Sequence, residues 1–287
     1  RIAAISQAFF FFQRALRNCV VEYMERQTLR ALLKEASLLS QKLLVSPRGN
    51  TDPTTSSADQ SVLVANLSRL VNSISQDTLA IKLPDEVMLT YMMAPLYYAD
   101  VYEDRLMHAC LFGFCRKGGI MPLHDHLQMH GFVKVIRGSV SITSYSWLSV
   151  EEEEQEMKKN IIRSFRGRPV RYEGTVIRTS GDDCVHLDPK HGNLHSMVAL
   201  DVGTTFFDLL VPGYGDRPCS FFETRPRDPR PSDSGICFVK QVPMPRWERQ
   251  RVRTSPKSSN VNTRTKLYFQ LFYSCSSKWN IMMLNAN

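Results

Sequence analysis

The 287-residue chain has seven cysteines but no CxxC pair. Their uneven spacing gives neither a zinc-ribbon pattern nor a disulfide framework, and so predicts a reducing, cytoplasmic setting. No apolar run is long enough to span a bilayer. The densest stretch, Ala8–Phe12, is far too short. With Arg1, Arg14 and Arg17 around it, that stretch leaves a signal or mitochondrial transit peptide open, and Arg rather than Met at position 1 leaves the true N-terminus open. No Gly-rich phosphate loop and no Ser-His-Asp order appears, which removes the common nucleotide-binding and serine-hydrolase readings. Acidic residues are scarce only at one end. Residues 225–287 carry 12 Lys/Arg against 3 Asp/Glu, whereas residues 1–224 carry 24 basic and 25 acidic side chains. The formal net charge of +8 therefore belongs to a tail, and no nucleic-acid partner is expected for the rest.

Organisation follows from periodicity. Residues 7–44 read as helix, with Leu29, Leu32, Leu33, Ala36, Leu39 and Leu43 recurring at three-to-four spacing, and 1–45 forms an N-terminal helical segment. Residues 46–61 are rich in Ser, Thr, Pro, Asp and Gly and read as a flexible linker. A second amphipathic helix follows, with Leu63, Leu67, Leu70, Val71 and Ile74 on one side. From Val87 onward, short apolar runs alternate with turn residues: 106–114, 131–136, 139–145, 170–178, 194–200, 204–211, 219–223 and 236–242. That pattern predicts a mainly β fold, a barrel or jelly roll spanning 62–245. A charged surface helix is expected as an insertion at about 150–165, carrying no chemistry. Residues 246–287 read as a basic, poorly ordered tail.

The chemistry concentrates in Pro122-Leu123-His124-Asp125-His126. Alternate residues of a strand share a face, so His124 and His126 point one way and Asp125 the other. His195, ahead of the strand-like Ser196-Met197-Val198, supplies a third imidazole. The spacing of Gly118, His124, His126 and Gly138 fits the cupin metal motif G-x5-H-x-H-x3,4-E-x6-G, except that His130 and Gly131 hold the two positions allowed for the glutamate. Pro189, Gly192 and His195 approximate the second motif of that fold, a cupin or double-stranded β-helix. Three neutral imidazoles leave a divalent metal with its full charge. Iron, zinc, copper and nickel all accept such a set. A thiolate substrate would bring the missing anion, because coordination deprotonates a thiol. Zinc with one water would instead give a hydrolase or hydratase, and a non-catalytic cupin binding module stays open. His130 is expected near the site without being a ligand. His191 could pair with His195 only on a helix, which Pro189 and Gly192 disfavour. His108 and His186 have no obvious partner.

Met121 to His126, Met129-His130-Gly131, Lys134-Val135-Ile136, Gly192-Asn193-Leu194-His195 and Phe207-Asp208-Leu209-Leu210-Val211-Pro212-Gly213-Tyr214 together resemble the cysteamine (2-aminoethanethiol) dioxygenase family, which includes the plant cysteine oxidases. The resemblance runs from about Leu67 to Glu223. It implies a double-stranded β-helix with one Fe(II) per chain on His124, His126 and His195. It also implies addition of both atoms of O2 to the sulfur of cysteamine, giving hypotaurine, or of an N-terminal cysteine, giving a sulfinate. It puts Asp208 beside the metal, to orient a ligand or hold a substrate amine, and Tyr214 in the pocket wall. In some animal members a cysteine matching Cys219 cross-links to a tyrosine two residues later. Here that position is Phe221, so no such link can form. A monomer acting on a small aminothiol or an N-terminal-cysteine peptide, with O2, is the expectation.

Overall fold

The computed structural model describes residues 28–45, 53–79, 81–92, 94–160, 167–215, 219–224, 235–243 and 270–271. The sequence-based expectations for 7–27, for the end of the charged helix and for most of 246–287 lie outside the described residues. The chain forms two compact units, 1–83 and 84–287.

The first unit holds helices α1 (28–45), α2 (Pro53–Asn72) and α3 (Gln76–Leu79). Leu29, Ala36 and Leu43 form the buried stripe of α1, and Leu67 and Val71 that of α2. Helix α2 begins at Pro53, inside the stretch read as linker. The reason is local: proline is at home in a first helical turn, where its missing N–H would find no partner anyway. The Ser/Thr-rich composition that suggests a linker is also tolerated there.

The second unit opens with α4 (Glu86–Tyr91), whose N-terminus is capped by Asp85 Oδ1 on the Met88 N–H at 2.8 Å. The strands follow: β1 (Leu96–Glu103), β2 (His108–Phe114), β3 (Ile120–Asp125), β4 (His130–Arg137), β5 (Ser139–Trp147), β6 (Arg168–Thr179), β7 (Val185–Leu187), β8 (Leu194–Ala199), β9 (Thr205–Val211), β10 (Phe221–Thr224), β11 (Ile236–Val242) and β12 (Gln270–Leu271). Helix α5 (Val150–Lys159) is inserted between β5 and β6. One sheet runs β12-β1-β2-β9-β4-β7, and the other six strands close on themselves as β10-β11-β6-β5-β8-β3. Every ladder is antiparallel. A single core draws Tyr98, Phe112, Val133 and Phe206 from the first sheet and Met121, Val140, Ile142 and Met197 from the second. The two sheets therefore face each other, the jelly-roll arrangement expected from the strand pattern.

Three strands escape the sequence reading. β12 is two residues long and lies in the stretch read as a poorly ordered tail, where it pairs with β1. β7 is three residues long, too short for any alternation to show. β1 is buried over its first four positions, so it shows no polar alternation. Its Tyr97 lies flat over Gly113, its register partner on β2, where an added Cβ would fall 1.8 Å from the ring. The Tyr97 hydroxyl meets the Thr205 hydroxyl at 2.5 Å and accepts from Arg137 at 3.3 Å. Arg137 also donates to the Pro84 and Gly203 carbonyls, both at 2.8 Å. Helix α5 carries a full capping box between Ser149 and Glu152, and its Glu152 and Glu153 pair with Arg171 and Arg168 of β6. Those acids are committed to holding the insertion on the barrel.

Candidate metal centre

Strand β3 brings the first two histidines to the interior by an irregularity. Met121 is opposite Met197 and His124 opposite His195, so three residues of β3 span two of β8. This bulge lets Met121 and His124 face the same side although they are three apart. Pro122 sits within it, where its missing N–H breaks no ladder. His126 follows two residues later, just past the strand end. His195 lies directly across from His124 on β8. All three rings are buried, with centroids 4.5–5.0 Å apart, and one ligand atom from each lies within 4.8 Å of the others. Asp125 points away, as alternation requires, and its carboxylate accepts from the Ser220 N–H at 3.2 Å.

Hydrogen bonds fix which nitrogens are available. His124 donates from Nδ1 to the Pro122 carbonyl at 2.7 Å, so Nε2 keeps its lone pair. The Tyr214 hydroxyl donates to the Asp125 carbonyl at 3.3 Å and lies 2.7 Å from Nδ1 of His126, from which it can accept. Nε2 of His126 is buried with no hydrogen-bond partner, while the His195 ring is held by the backbone of Asn193. An orphaned buried ring nitrogen, in a cluster where one ligand atom from each of three imidazoles converges, is what an imidazole-ligated cation would satisfy. Burial pushes His124 down to about 4 against the opposing pull of the Pro122 carbonyl. Burial, then the neighbouring imidazoles, holds His126 and His195 well below the ordinary histidine value. All three are thus neutral near pH 7, the form that binds a metal. In the unfolded chain they would titrate near 6.5, so below that pH the unfolded state binds more protons. The metal-free chain should therefore lose stability as the pH falls from about 6.5 toward 4. Thermal melts across that range check this; a flat melting temperature would contradict it.

Asn193 stands in the sequence only as part of the resemblance, without a role of its own. Its side chain accepts from the His126 N–H at 2.9 Å and donates to the carbonyls of Met129 at 3.1 Å and Asp188 at 3.3 Å. It therefore clamps the turn His126–Met129, which the Met129 N–H closes on the His126 carbonyl at 2.9 Å with Gln128 at φ 60°. The signal was its place two residues before His195, in a segment that must reach the first pair. Asn193→Ala is expected to weaken metal binding about 10–100-fold while the fold persists. Competition with a chelator of known affinity measures it.

The three histidines open on a cavity of about 40 Å³. The facing wall comes from the other sheet, where alternate residues His108, Cys110 and Phe112 of β2 and Phe206, Asp208 and Leu210 of β9 line it. Tyr214, Cys219 and Phe221 complete the rim. Asp208 is thus placed opposite the imidazoles, and Tyr214 touches one of them. His130 is not among the lining residues. It stacks on His186 with Nδ1 3.1 Å from His186 Nε2, and burial, then His186, lowers it to about 4. His191 is exposed beside Asp188, on a turn, so a helical pairing with His195 does not occur. His108, without an evident partner in the sequence, bonds Asp100 and Tyr98.

The PCO_ADO family profile matches residues 71–265, more than half of the chain. Among curated proteins, 2-aminoethanethiol dioxygenase of Mus musculus is 29% identical over 159 residues, 50% of this chain and 61% of that protein. The Homo sapiens 2-aminoethanethiol dioxygenase is 27% identical over 161 residues, 50% of this chain and 58% of that protein. A probable 2-aminoethanethiol dioxygenase of Dictyostelium discoideum is 29% identical over 131 residues, covering 44% and 55%. The chain therefore spans little more than half the length of the relatives it matches. Among the described residues, no helix is long and apolar enough to cross a membrane.

Proposed function

The chain belongs to the PCO_ADO family, and on that premise we propose that it is an Fe(II)-dependent thiol dioxygenase. It would add both atoms of O2 to the sulfur of cysteamine or of an N-terminal cysteine, giving a sulfinate. The observation that carries the reading is the convergence of three buried, neutral imidazoles with no carboxylate among them. His124, His126 and His195 would hold one iron per chain. Bound Fe(II) would supply adjacent positions for a thiolate and O2 and a route for electrons between them. Because its three ligands are uncharged, the substrate's thiolate supplies the anion that compensates the metal.

The protein's own part is positioning and exclusion. Phe112, Met197, Phe206, Leu210 and Phe221 make most of the wall apolar and keep water out. Asp208, buried in the facing sheet, is placed to receive the amine that accompanies the thiol in either substrate. Tyr214 holds the His126 ring through Nδ1. The cavity of about 40 Å³ has room for roughly three water-sized groups. That suits an aminothiol, or the first residue of a peptide with the rest outside. Action on peptide N-terminal cysteine would make the protein an oxygen sensor. The reading takes it as a cytoplasmic monomer.

An oxygen-electrode assay of the iron-loaded chain tests this, with cysteamine, free cysteine and a Cys-initiated peptide in parallel. O2 uptake matched by sulfinate is expected with at least one. No uptake with any of them, or the same thiol turnover with zinc in place of iron, would overturn the reading.

A further inference from the structure

We propose that His108 is the proton exit of this cavity: its Nδ1 takes the proton that an entering thiol gives up, and its Nε2 passes a proton to Asp100 at the surface. The proposal rests on the thiol reading above and adds a residue to it.

His108 is buried on β2, on the same face as Cys110 and Phe112, and lines the cavity on the wall opposite the three imidazoles. Its Nε2 lies 3.1 Å from Asp100 Oδ1 and 3.1 Å from the Tyr98 hydroxyl. Tyr98 itself donates to the same carboxylate oxygen. Between a carboxylate and a hydroxyl already committed as donor, Nε2 carries the ring proton. Nδ1 is then the bare nitrogen, and it is buried with no hydrogen-bond partner. A base held in one tautomer by a carboxylate on its far nitrogen is the arrangement that general-base histidines use. The Asp100 side chain is 54% exposed, while that of His108 is 3% exposed. One ring thus joins the wall of the cavity to water.

A proton has to leave when a thiol binds as thiolate. A thiol is mostly protonated at neutral pH, and it must arrive at a cation as thiolate. The S–H bond breaks, sulfur keeps the electron pair, and the proton goes to Nδ1. The Nε2 proton moves to the Asp100 carboxylate and then to solvent, with no change of oxidation state. The other titratable groups about the ring are Tyr98 and Glu103 on β1, Cys110 on β2, Asp208 on β9, and Tyr214 and Cys219 across the cavity, besides the three imidazoles.

The test compares wild type, His108→Phe and Asp100→Asn as full, iron-loaded chains with cysteamine. At pH 6.5, His108→Phe should lose about 100-fold in kcat/KM. The loss should shrink as the pH passes the ordinary thiol value of about 8.5, because the substrate then arrives deprotonated. Asp100→Asn, at the exposed end, should show a smaller loss with the same trend. Without O2, proton release on thiol addition, followed with an indicator dye, should be slower in both variants. In the metal-free wild type, nitrogen-15 shifts should show the neutral His108 ring as the Nε2–H tautomer. A loss of the same factor at every pH, or unchanged proton release, overturns the relay and leaves the dioxygenase reading standing. A wild type that oxidises no thiol removes both.

Discussion

A His195→Ala chain should come out of anaerobic iron loading without stoichiometric metal, and should consume no O2 with cysteamine. His195 faces His124 across the β3–β8 ladder and is one of only three side chains converging on the site among the described residues. Two imidazoles on one strand end cannot hold a ferrous ion against water and buffer, since no carboxylate takes the vacant place. The fold should survive, because His195 contributes one ring to a core whose bulk is aliphatic and aromatic. Metal analysis after desalting, alongside a thermal melt of the metal-free protein, separates the two effects. Retained stoichiometric iron in a folded variant would refute the ligand assignment.

Gly113→Ala should damage the fold of the second unit severely. The added Cβ would lie 1.8–2.3 Å from the ring of Tyr97, far inside contact distance. Tyr97 cannot swing aside. It is fully buried, and its hydroxyl is tied to Thr205 and Arg137. Overpacking of this kind costs about 3 kcal/mol or more, or roughly 10 °C in melting temperature for a unit of this size. Tyr97→Leu in the same chain should restore part of that loss, because it removes the ring the methyl group meets. A Gly113→Ala melt within 2 °C of wild type (about 0.5–1 kcal/mol on the same scaling) would show that the ring can yield.

The strands and the site were legible in the sequence to different depths. Runs such as 204–211 announce themselves because seven consecutive positions of β9 are buried, which produces an apolar string from Phe206 to Val211 interrupted only by Asp208. The three histidines were legible because two-residue alternation puts His124 and His126 on one side. Alternation does not reveal the bulge between Met121 and His124, since an extra residue in one strand is defined by the partner strand. The roles of Asn193 and His108 were passed over for a related reason. Each acts through atoms distant in sequence: Asn193 through the backbone of His126 and Met129, His108 through Asp100. The start of α2 at Pro53 was hidden because composition alone does not separate a polar linker from a polar first turn.

All three imidazoles stand on the closed set of strands, whereas His108 and Asp208 stand on the sheet that faces it. On the proposed reading, grip on the ion would fall to one half of the sandwich, while the other half would add His108 and Asp208 to the handling of the molecule that reacts beside it. Substitutions on β2 and β9 can retune which guests are accepted while the affinity for metal stays where β3 and β8 set it.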